Sequence, residues 1–304
     1  MQIAAKILAD SCYGNHRITS FELYYHRYIL PEINTHRAIS KNGQSSRAIP
    51  TEKLIELCLS SRVEPVQWGL DQSGMQAFTV ADEILERKGR QIWDDARLNA
   101  VQSAIALNGL GFAKQIVNRV LEPFLPTRTV MTGTDWNNFF TLRDHKDAQP
   151  EFRDLAAIMR ELMRDGSPKT LDEFDWHRPY MEIGDLDRAE RQDSLDVLDE
   201  CIDLIDTGAH PFTSYFRSSS DLLLNMTSSA RCARASYRTV EGKPTDFDLD
   251  LTLFKRLVKT QPVHASPTEH QAIPAVSGTP TRMTANFTGF IPFRRLIKNE
   301  TIWG

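Results

Sequence analysis

Apolar and polar residues alternate with a period of two from Ile18 to Tyr25 (ITSFELYY), a run rich in aromatic and β-branched side chains. Gly14-Asn15 precedes it as a turn, so residues 3–33 read as strands. The period then lengthens. Thr51 is placed to cap a short helix that turns Leu54, Leu57 and Cys58 to one face. Residues 62–74 read as loop, and a helical pattern runs from about Ala77 to Leu107, broken near Gly89. Ala96, Ala100, Ala104 and Leu107 make a small-residue stripe suited to a close helix contact. Another helix is expected from about Phe112 to Leu121, stopping before Pro123 and Pro126.

Thr132 to Arg143 (TGTDWNNFFTLR) begins as a turn and continues as a short helix. Asp147 is placed to cap the next helix, with Pro150 in its first turn. That helix carries Phe152, Leu155, Ala156, Met159, Leu162 and Met163 on one face and ends at Gly166. Residues 167–185 read as loop, 194–206 and 219–233 as helices, and Asp248 or Asp250 starts one more, ending near Val258. After a loop over 261–285, residues 286–297 return as a strand. The fold class is therefore α/β of the α+β kind, a mixed sheet flanked by helices. Strands at both ends predict that the termini pair in one sheet. The chain reads as one domain over 1–304, with a helical insertion at about 167–228.

Composition narrows the function. The 304 residues are 41% hydrophobic and 25% charged, ordinary for a globular protein with a sizeable core. A net charge of −4 argues against a general nucleic-acid binder, which carries a basic surplus. Cys12, Cys58, Cys201 and Cys232 are far apart, unlike a zinc site or a secreted disulfide framework. The N-terminal MQIAAKILADSCYG lacks the apolar run of a signal peptide, and no run approaches a membrane span. A cytoplasmic location is expected.

The candidate chemistry concentrates in Thr35–Arg47, which packs one His, two Arg and three Ser into thirteen residues. Closely spaced guanidinium forks and hydroxyls suit a phosphate-bearing ligand better than a plain solvated turn. In NNFFTLR the two Phe belong to a core, while Asn138 and Arg143 are polar candidates five residues apart. Arg119 and Ser236, taken alone, read as a surface Arg and a helix-end Ser. The run His264-Ala-Ser266-Pro267-Thr268-Glu269-His270 invites a metal, but its spacing is not that of H-E-x-x-H and Pro267 interrupts any helix, so no metal is expected. Hydrogen bonding to an organic cofactor fits this run better.

Taken together these blocks resemble the flavin-dependent thymidylate synthase family, the ThyX type. The family's Arg-His-Arg, seven residues, Ser, then Arg two positions later is matched by Thr35-His36-Arg37, seven residues, Ser45 and Arg47. Its Asn-x-Arg-x-x-x-Asn-Phe-x-x-x-Arg block is similar to TGTDWNNFFTLR, which keeps Asn138, Phe139 and Arg143. Arg119 in VNRVLEPFLP resembles its Val-Ala-Arg-x-x-Leu-Pro. Its Ala-Arg-x-Ser, helix, His-x-Thr-Pro-Phe-Glu-His block is similar to Ala233–Ser236 and His264–His270, but that block comes first in the family and last here. The chain thus resembles a circularly permuted member.

The resemblance implies a homotetramer with active sites shared between subunits. It also implies FAD as cofactor, and methylenetetrahydrofolate and NADPH as co-substrates in converting dUMP to dTMP. By the same resemblance His36, Arg37, Asn138, Ser236, His264, Ser266 and Glu269 would hold FAD. Gln44, Ser45, Ser46, Arg47, Arg119 and Arg143 would hold the nucleotide. Ser45 and Arg143 would act at the reacting base by positioning and polarising it, with no covalent protein nucleophile. Three departures stand out: Thr35 replaces the leading Arg, Gly43 replaces a Glu two positions before the Ser, and Glu32 aligns with an expected Gln. They leave two alternatives, a flavin-dependent methylase or hydroxymethylase acting on dUMP or dCMP, and a non-catalytic nucleotide-binding protein.

Overall fold

A computed structural model describes residues 2–192, 202–208, 211–235 and 246–300. The expected helix over 194–206 lies largely outside these residues, and Ser236 lies wholly outside them. The alternating N-terminal run forms a hairpin of β1 (Ala4–Tyr13) and β2 (His16–His26), turned at Gly14, whose φ of 54° a side chain would resist. A bulge between Ile7 and Ala9 shifts the register of β1. After α1 (Leu30–Asn34) comes β3 (Ser40–Gly43), inside the polar segment. Next are α2 (Thr51–Ser61), α3 (Glu83–Gly109), the short α4 (Lys114–Val117) and a 3-10 stretch, Asn118–Phe124.

β4 (Pro126–Gly133) then enters the sheet between β3 and β2. Helices α5 (Asn137–Arg143) and α6 (Pro150–Asp165) follow, and β5 (Lys169–Thr170) adds a parallel edge to β1. The sheet order is β3-β4-β2-β1-β5. The remaining chain contributes α7 (Asp185–Arg191), α8 (Ser219–Arg234), α9 (Phe247–Lys259), β6 (Ala272–Pro274), α10 (Thr281–Thr284) and β7 (Phe290–Pro292).

The periodic helices form where the pattern puts them. α6 lays Phe152, Leu155, Ala156 and Met159 against Phe21 and Leu23 of β2 and Trp136 and Phe139 of the following turn and helix. α8 is buried along nearly its whole length and packs with α9 around Leu223, Met226, Phe254 and Phe293. A third core joins Leu54 and Cys58 of α2 to Val101 and Ala104 of α3 and to Leu121.

Several expectations are corrected. The termini do not pair in one sheet: β1 and β2 lie in the five-stranded sheet, while β6 and β7 pair with each other. The C-terminal strand is only Phe290–Pro292, because residues Phe293–Leu296 turn into a 3-10 helix. β4 occupies a stretch for which the sequence pattern predicts no strand, and its last two residues take the place of the turn expected from Thr132. Val130 and Met131 are buried, but so are its threonines: Thr129 Oγ1 meets Tyr25 Oη at 2.7 Å and Thr132 Oγ1 meets Ser20 Oγ at 2.6 Å. Hydropathy is blind to a strand buried through hydrogen-bonded threonines.

α3 starts at Glu83, later than Ala77, and passes through Gly89 unbroken. Trp68 packs there so closely that an added Cβ would sit 2.7 Å from its ring. The helix expected over 112–121 is one α turn followed by 3-10 structure, with Pro123 inside it. The caps differ too. Thr51 is the first residue of α2 and spends its hydroxyl on Asn118 Oδ1 at 2.9 Å, Gln149 rather than Asp147 precedes α6, and Asp246 caps α9 by accepting from Asp248 N and Leu249 N. Asp250 is instead fully buried and pairs with Arg231 and Arg234.

Candidate functional site

β3 carries the polar segment along the sheet edge and delivers it to a cavity of about 640 Å³. One wall is Asn42, Gly43, Ser45 and Arg47; the facing wall is His264, Ser266 and Pro267, more than two hundred residues away in sequence. Ala48 and Ala113, Lys114 and Gln115 of α4, Ala233 at the end of α8 and Leu257 of α9 complete it. Asn42 Nδ2 donates to Cys232 O at 2.7 Å, tying the first wall to the end of α8. Ser266 begins the 3-10 turn Ser266–Glu269, and Thr268 Oγ1 closes that turn on Ala265 O at 2.6 Å.

A second cluster lies at the other end of the same segment. Arg143 Nε donates to His36 Nε2 at 2.8 Å, and Arg143 Nη2 to Thr35 Oγ1 at 3.2 Å. The guanidinium sits 4.6 Å from the centre of the Phe152 ring, and His36 meets Phe139 edge-on at 4.9 Å. Because Arg143 only donates, His36 Nε2 is an acceptor and its proton resides on Nδ1. Burial, then the charges of Arg143 and Lys41, push His36 down to about 4, so the imidazole is neutral at physiological pH. Lys41 donates to His36 O and, at 2.9 Å, to Ile39 O; burial lowers its pKa, and the nearby Glu269 carboxylate opposes that. The structure thus brings together signature and Asn-Phe-x-x-x-Arg residues that stand 107 positions apart.

The other candidates are distributed differently. Glu269 pairs with Arg294, away from the cavity lining. Arg37 and Asn138 are exposed and outside the cavity lining. Gln44 is buried: its Oε1 accepts from Arg128 N at 3.3 Å and its backbone carbonyl from Arg27 Nη1 at 3.0 Å. Ser46 is buried and gives its hydroxyl to Glu122 at 2.5 Å. Arg119 is half exposed and pairs with the same Glu122 carboxylate at 2.8 Å. Glu32 lies close enough to Arg143 to favour that guanidinium's charge, which burial disfavours.

The reading of the sequence passed over Asn42, Lys114 and Gln115. Lys114 lies five positions before Arg119 in the same GFAKQIVNR stretch, and only its cationic side chain in a run ending at a Pro-rich turn could have signalled it. Among the described residues no cluster of three or more His, Cys, Asp or Glu is placed to hold a metal, and no helix is long and apolar enough to cross a membrane.

Comparison with known proteins gives a family match. Residues 12–169 match the thymidylate synthase complementing protein family, Thy1. A flavin-dependent thymidylate synthase from Corynebacterium aurimucosum is 33% identical over 110 residues, covering 32% of this chain and 44% of that protein; the chain therefore spans less than half of that relative. Two solved structures of the UMP/dUMP methylase PolB from Streptomyces cacaoi also align. The complex with 5-Br UMP does so at 14% identity and a TM-score of 0.44, over 53% of this chain and 88% of that one. The complex with 5-Br dUMP does so at 13% identity and a TM-score of 0.45, over 53% and 90%.

Proposed function

This chain belongs to the thymidylate synthase complementing protein family, and on that premise we propose that it is a flavin-dependent enzyme transferring a one-carbon unit from methylenetetrahydrofolate to C5 of a pyrimidine deoxynucleotide, dUMP to dTMP, with NADPH as reductant. The observation that carries this reading is the convergence of Ser45 and Arg47 with His264 and Ser266 on one cavity. The volume, about 640 Å³, lies in the ordinary range for organic ligands. The donor set suits a polyanionic, hydrogen-bonding group such as FAD: hydroxyls at Ser45 and Ser266, an amide at Asn42, an imidazole at His264, and no carboxylate among the lining residues. FAD, when bound, supplies the hydride and one-carbon chemistry. The chain's own residues bind and orient. Ser45 positions the nucleotide, Arg47 meets its phosphate, and neutral His36 is held in one tautomer by Arg143. Glu269 and the family Ser at 236 remain part of the flavin assignment.

The permuted order of the blocks is part of the reading. The family match ends at residue 169, and the block His264–His270 nevertheless packs back on the segment that the match contains. Assembly into a homotetramer with shared sites is also part of it. Its support is the apolar surface that α3 and its continuation leave in solvent, with Ile92 69%, Ile105 48%, Leu110 76% and Phe112 48% exposed. Light scattering should return four times the 34.6 kDa chain mass; a monomer would remove the shared-site arrangement. A cytoplasmic location completes the reading.

One observation keeps the hydroxymethylase alternative in view. Gly43 forms cavity wall where the family has Glu, and a Cβ there would already press on Thr129 Oγ1 at 3.3 Å. The wall therefore lacks a carboxylate beside the base, the place where methyl and hydroxymethyl outcomes or uracil and cytosine would be told apart. Incubating the purified protein with FAD, methylenetetrahydrofolate, NADPH and either dUMP or dCMP decides it by product mass. dTMP from dUMP is expected. A hydroxymethyl product, or turnover of dCMP alone, replaces that reading with the alternative, and a protein that cannot be loaded with FAD ends both. Arg143→Ala is expected to weaken dUMP binding at least tenfold while leaving FAD affinity within about threefold. Unchanged dUMP affinity in a titration would return Arg143 to a purely structural post beside His36.

A further inference from the structure

A nucleotide monophosphate is a dianion, and a site that holds it needs cations not already neutralised by carboxylates. The cations implied by family resemblance do not all meet that condition here. Arg119 shares the Glu122 carboxylate with Arg27, at 2.8 and 3.1 Å, and Ser46 donates to the same group. Three donors already converge on Glu122, and Arg119 is absent from the cavity lining. Arg143 has no carboxylate salt bridge among the described residues, but it bonds His36 and Thr35, packs on the Phe152 ring and lies outside that lining, so it serves the nucleotide from the other end of the segment.

Two cations do line the cavity, Arg47 and Lys114. Neither has a carboxylate partner among the described residues. Lys114 makes only a long hydrogen bond from Nζ to Ala48 O, 3.4 Å, which holds the ammonium beside the turn that carries Ser45 and Arg47. α4 is anchored under it by Val117, which is fully buried, and by the adjoining Asn118, whose amide donates to Ser46 O at 2.8 Å and Ile49 O at 3.1 Å. The backbone that carries Lys114 is thus held against the signature loop, while its side chain reaches into solvent.

We infer that Lys114 is the second phosphate-binding cation of the nucleotide site, pairing with Arg47 across the phosphate of the pyrimidine nucleotide in the place that resemblance would give to Arg119. The inference rests on the nucleotide reading above and adds to it the residue that selects a phosphorylated substrate. Lys114 contributes a movable point charge, whereas Arg47 contributes a planar fork, so the pair neutralises a dianion while only one of the two dictates its orientation.

The test is isothermal titration of the flavin-loaded protein with dUMP and, separately, with deoxyuridine, which lacks the phosphate. Lys114→Ala should raise the dUMP Kd about tenfold, a loss tempered by solvent exposure, and leave the deoxyuridine Kd unchanged. Lys114→Arg should restore dUMP binding to within about threefold, and Lys114→Glu should weaken it further than Ala. Far-UV circular dichroism and flavin content check that each variant is folded. If wild-type protein binds dUMP and Lys114→Ala binds it equally well, the inference is overturned and the nucleotide reading stands. Equal weakening of dUMP and deoxyuridine also overturns it, because the side chain would then act by packing. If wild-type protein binds neither dUMP nor dCMP, the nucleotide reading falls and takes this inference with it.

Discussion

Arg231→Met should destabilise the fold by about 3 kcal/mol, the lower end of the cost of removing one partner from a buried ion cluster. Arg231 is the largest fully buried side chain among the described residues, 1% exposed in the last turn of α8. It donates to Asp185 through Nη1 and Nη2 at 2.5 and 2.9 Å, to Asp250 through Nε at 2.9 Å, and to Tyr180 O at 2.7 Å. Burial alone would push the Asp185 carboxyl up. Hydrogen bonds from Arg231 and the Glu182 amide, with the charges of Arg231 and Arg188, hold it below its ordinary value instead. Met fills the volume and leaves two buried carboxylates. Each retains one cation, Asp185 with Arg188 at 3.2 Å and Asp250 with Arg234 at 2.6 Å, which is why the lower end of the range applies.

Urea unfolding at pH 7.5 measures this effect, and a loss under about 1 kcal/mol would show that the remaining arginines carry the cluster. The triple change Arg231→Met, Asp185→Asn, Asp250→Leu separates charge from packing. It should recover much of the loss, since an apolar set can replace a buried ionic one. The consequence for function is specific. Ala233 lines the cavity and Cys232 O receives Asn42, both within two residues of Arg231. Protein kept folded at low temperature should therefore bind nucleotide more weakly than wild type.

The same cluster shows where the sequence was readable. The ITSFELYY alternation, the Phe152–Met159 stripe and the Leu222–Met226 region declare themselves through apolar periodicity, and they form β2, α6 and α8. Asp250 and Arg231 are polar residues in otherwise periodic helices. A single residue says nothing about whether its partner will be buried opposite, so Asp250 was read as a helix start. β4 escaped for a related reason: Thr129 and Thr132 are buried by virtue of partners on β2 and in the C-terminal turn, which periodicity along one strand does not contain. The site was legible in its halves. Thr35–Arg47 and His264–His270 are dense in polar groups, and the family spacing linked them. Their meeting at one cavity, and the withdrawal of Arg119 to Glu122, depend on three-dimensional neighbours and came only with the fold.

Acid should loosen this protein well above the pH at which carboxylates titrate. Behind the sheet, Ser11 Oγ, His177, Ser20 Oγ, Thr132 Oγ1 and His270 Nδ1 form a continuous buried chain, with links of 2.9, 2.8, 2.6 and 2.8 Å. His177 is 1% exposed and His270 0%, and His270 Nε2 has no partner. Burial pushes both imidazoles down to about 3, and for His270 the neighbouring His177 adds to the effect. In the unfolded chain each titrates near its ordinary value of about 6.5. Between those values the unfolded state binds protons that the folded state refuses, so stability is fully present above about pH 6.5 and falls as pH drops toward 3. At pH 5 each histidine accounts for about 2 kcal/mol of lost stability, about 4 kcal/mol for the pair, a large share of the 5–15 kcal/mol typical of a domain. His36, held near 4, and His26, lowered by its burial, act in the same direction. Urea midpoints measured from pH 7.5 to 5 should fall steadily, and a flat profile would sink the argument. His270→Gln should lower stability at pH 7.5 yet flatten the slope over that window, a change that lost packing alone does not produce. Because His270 directly follows the Ser266–Glu269 turn, hydrogen exchange at pH 5 should open residues 266–270 before the sheet, releasing the cavity's Ser266 wall while β2 and β4 stay paired.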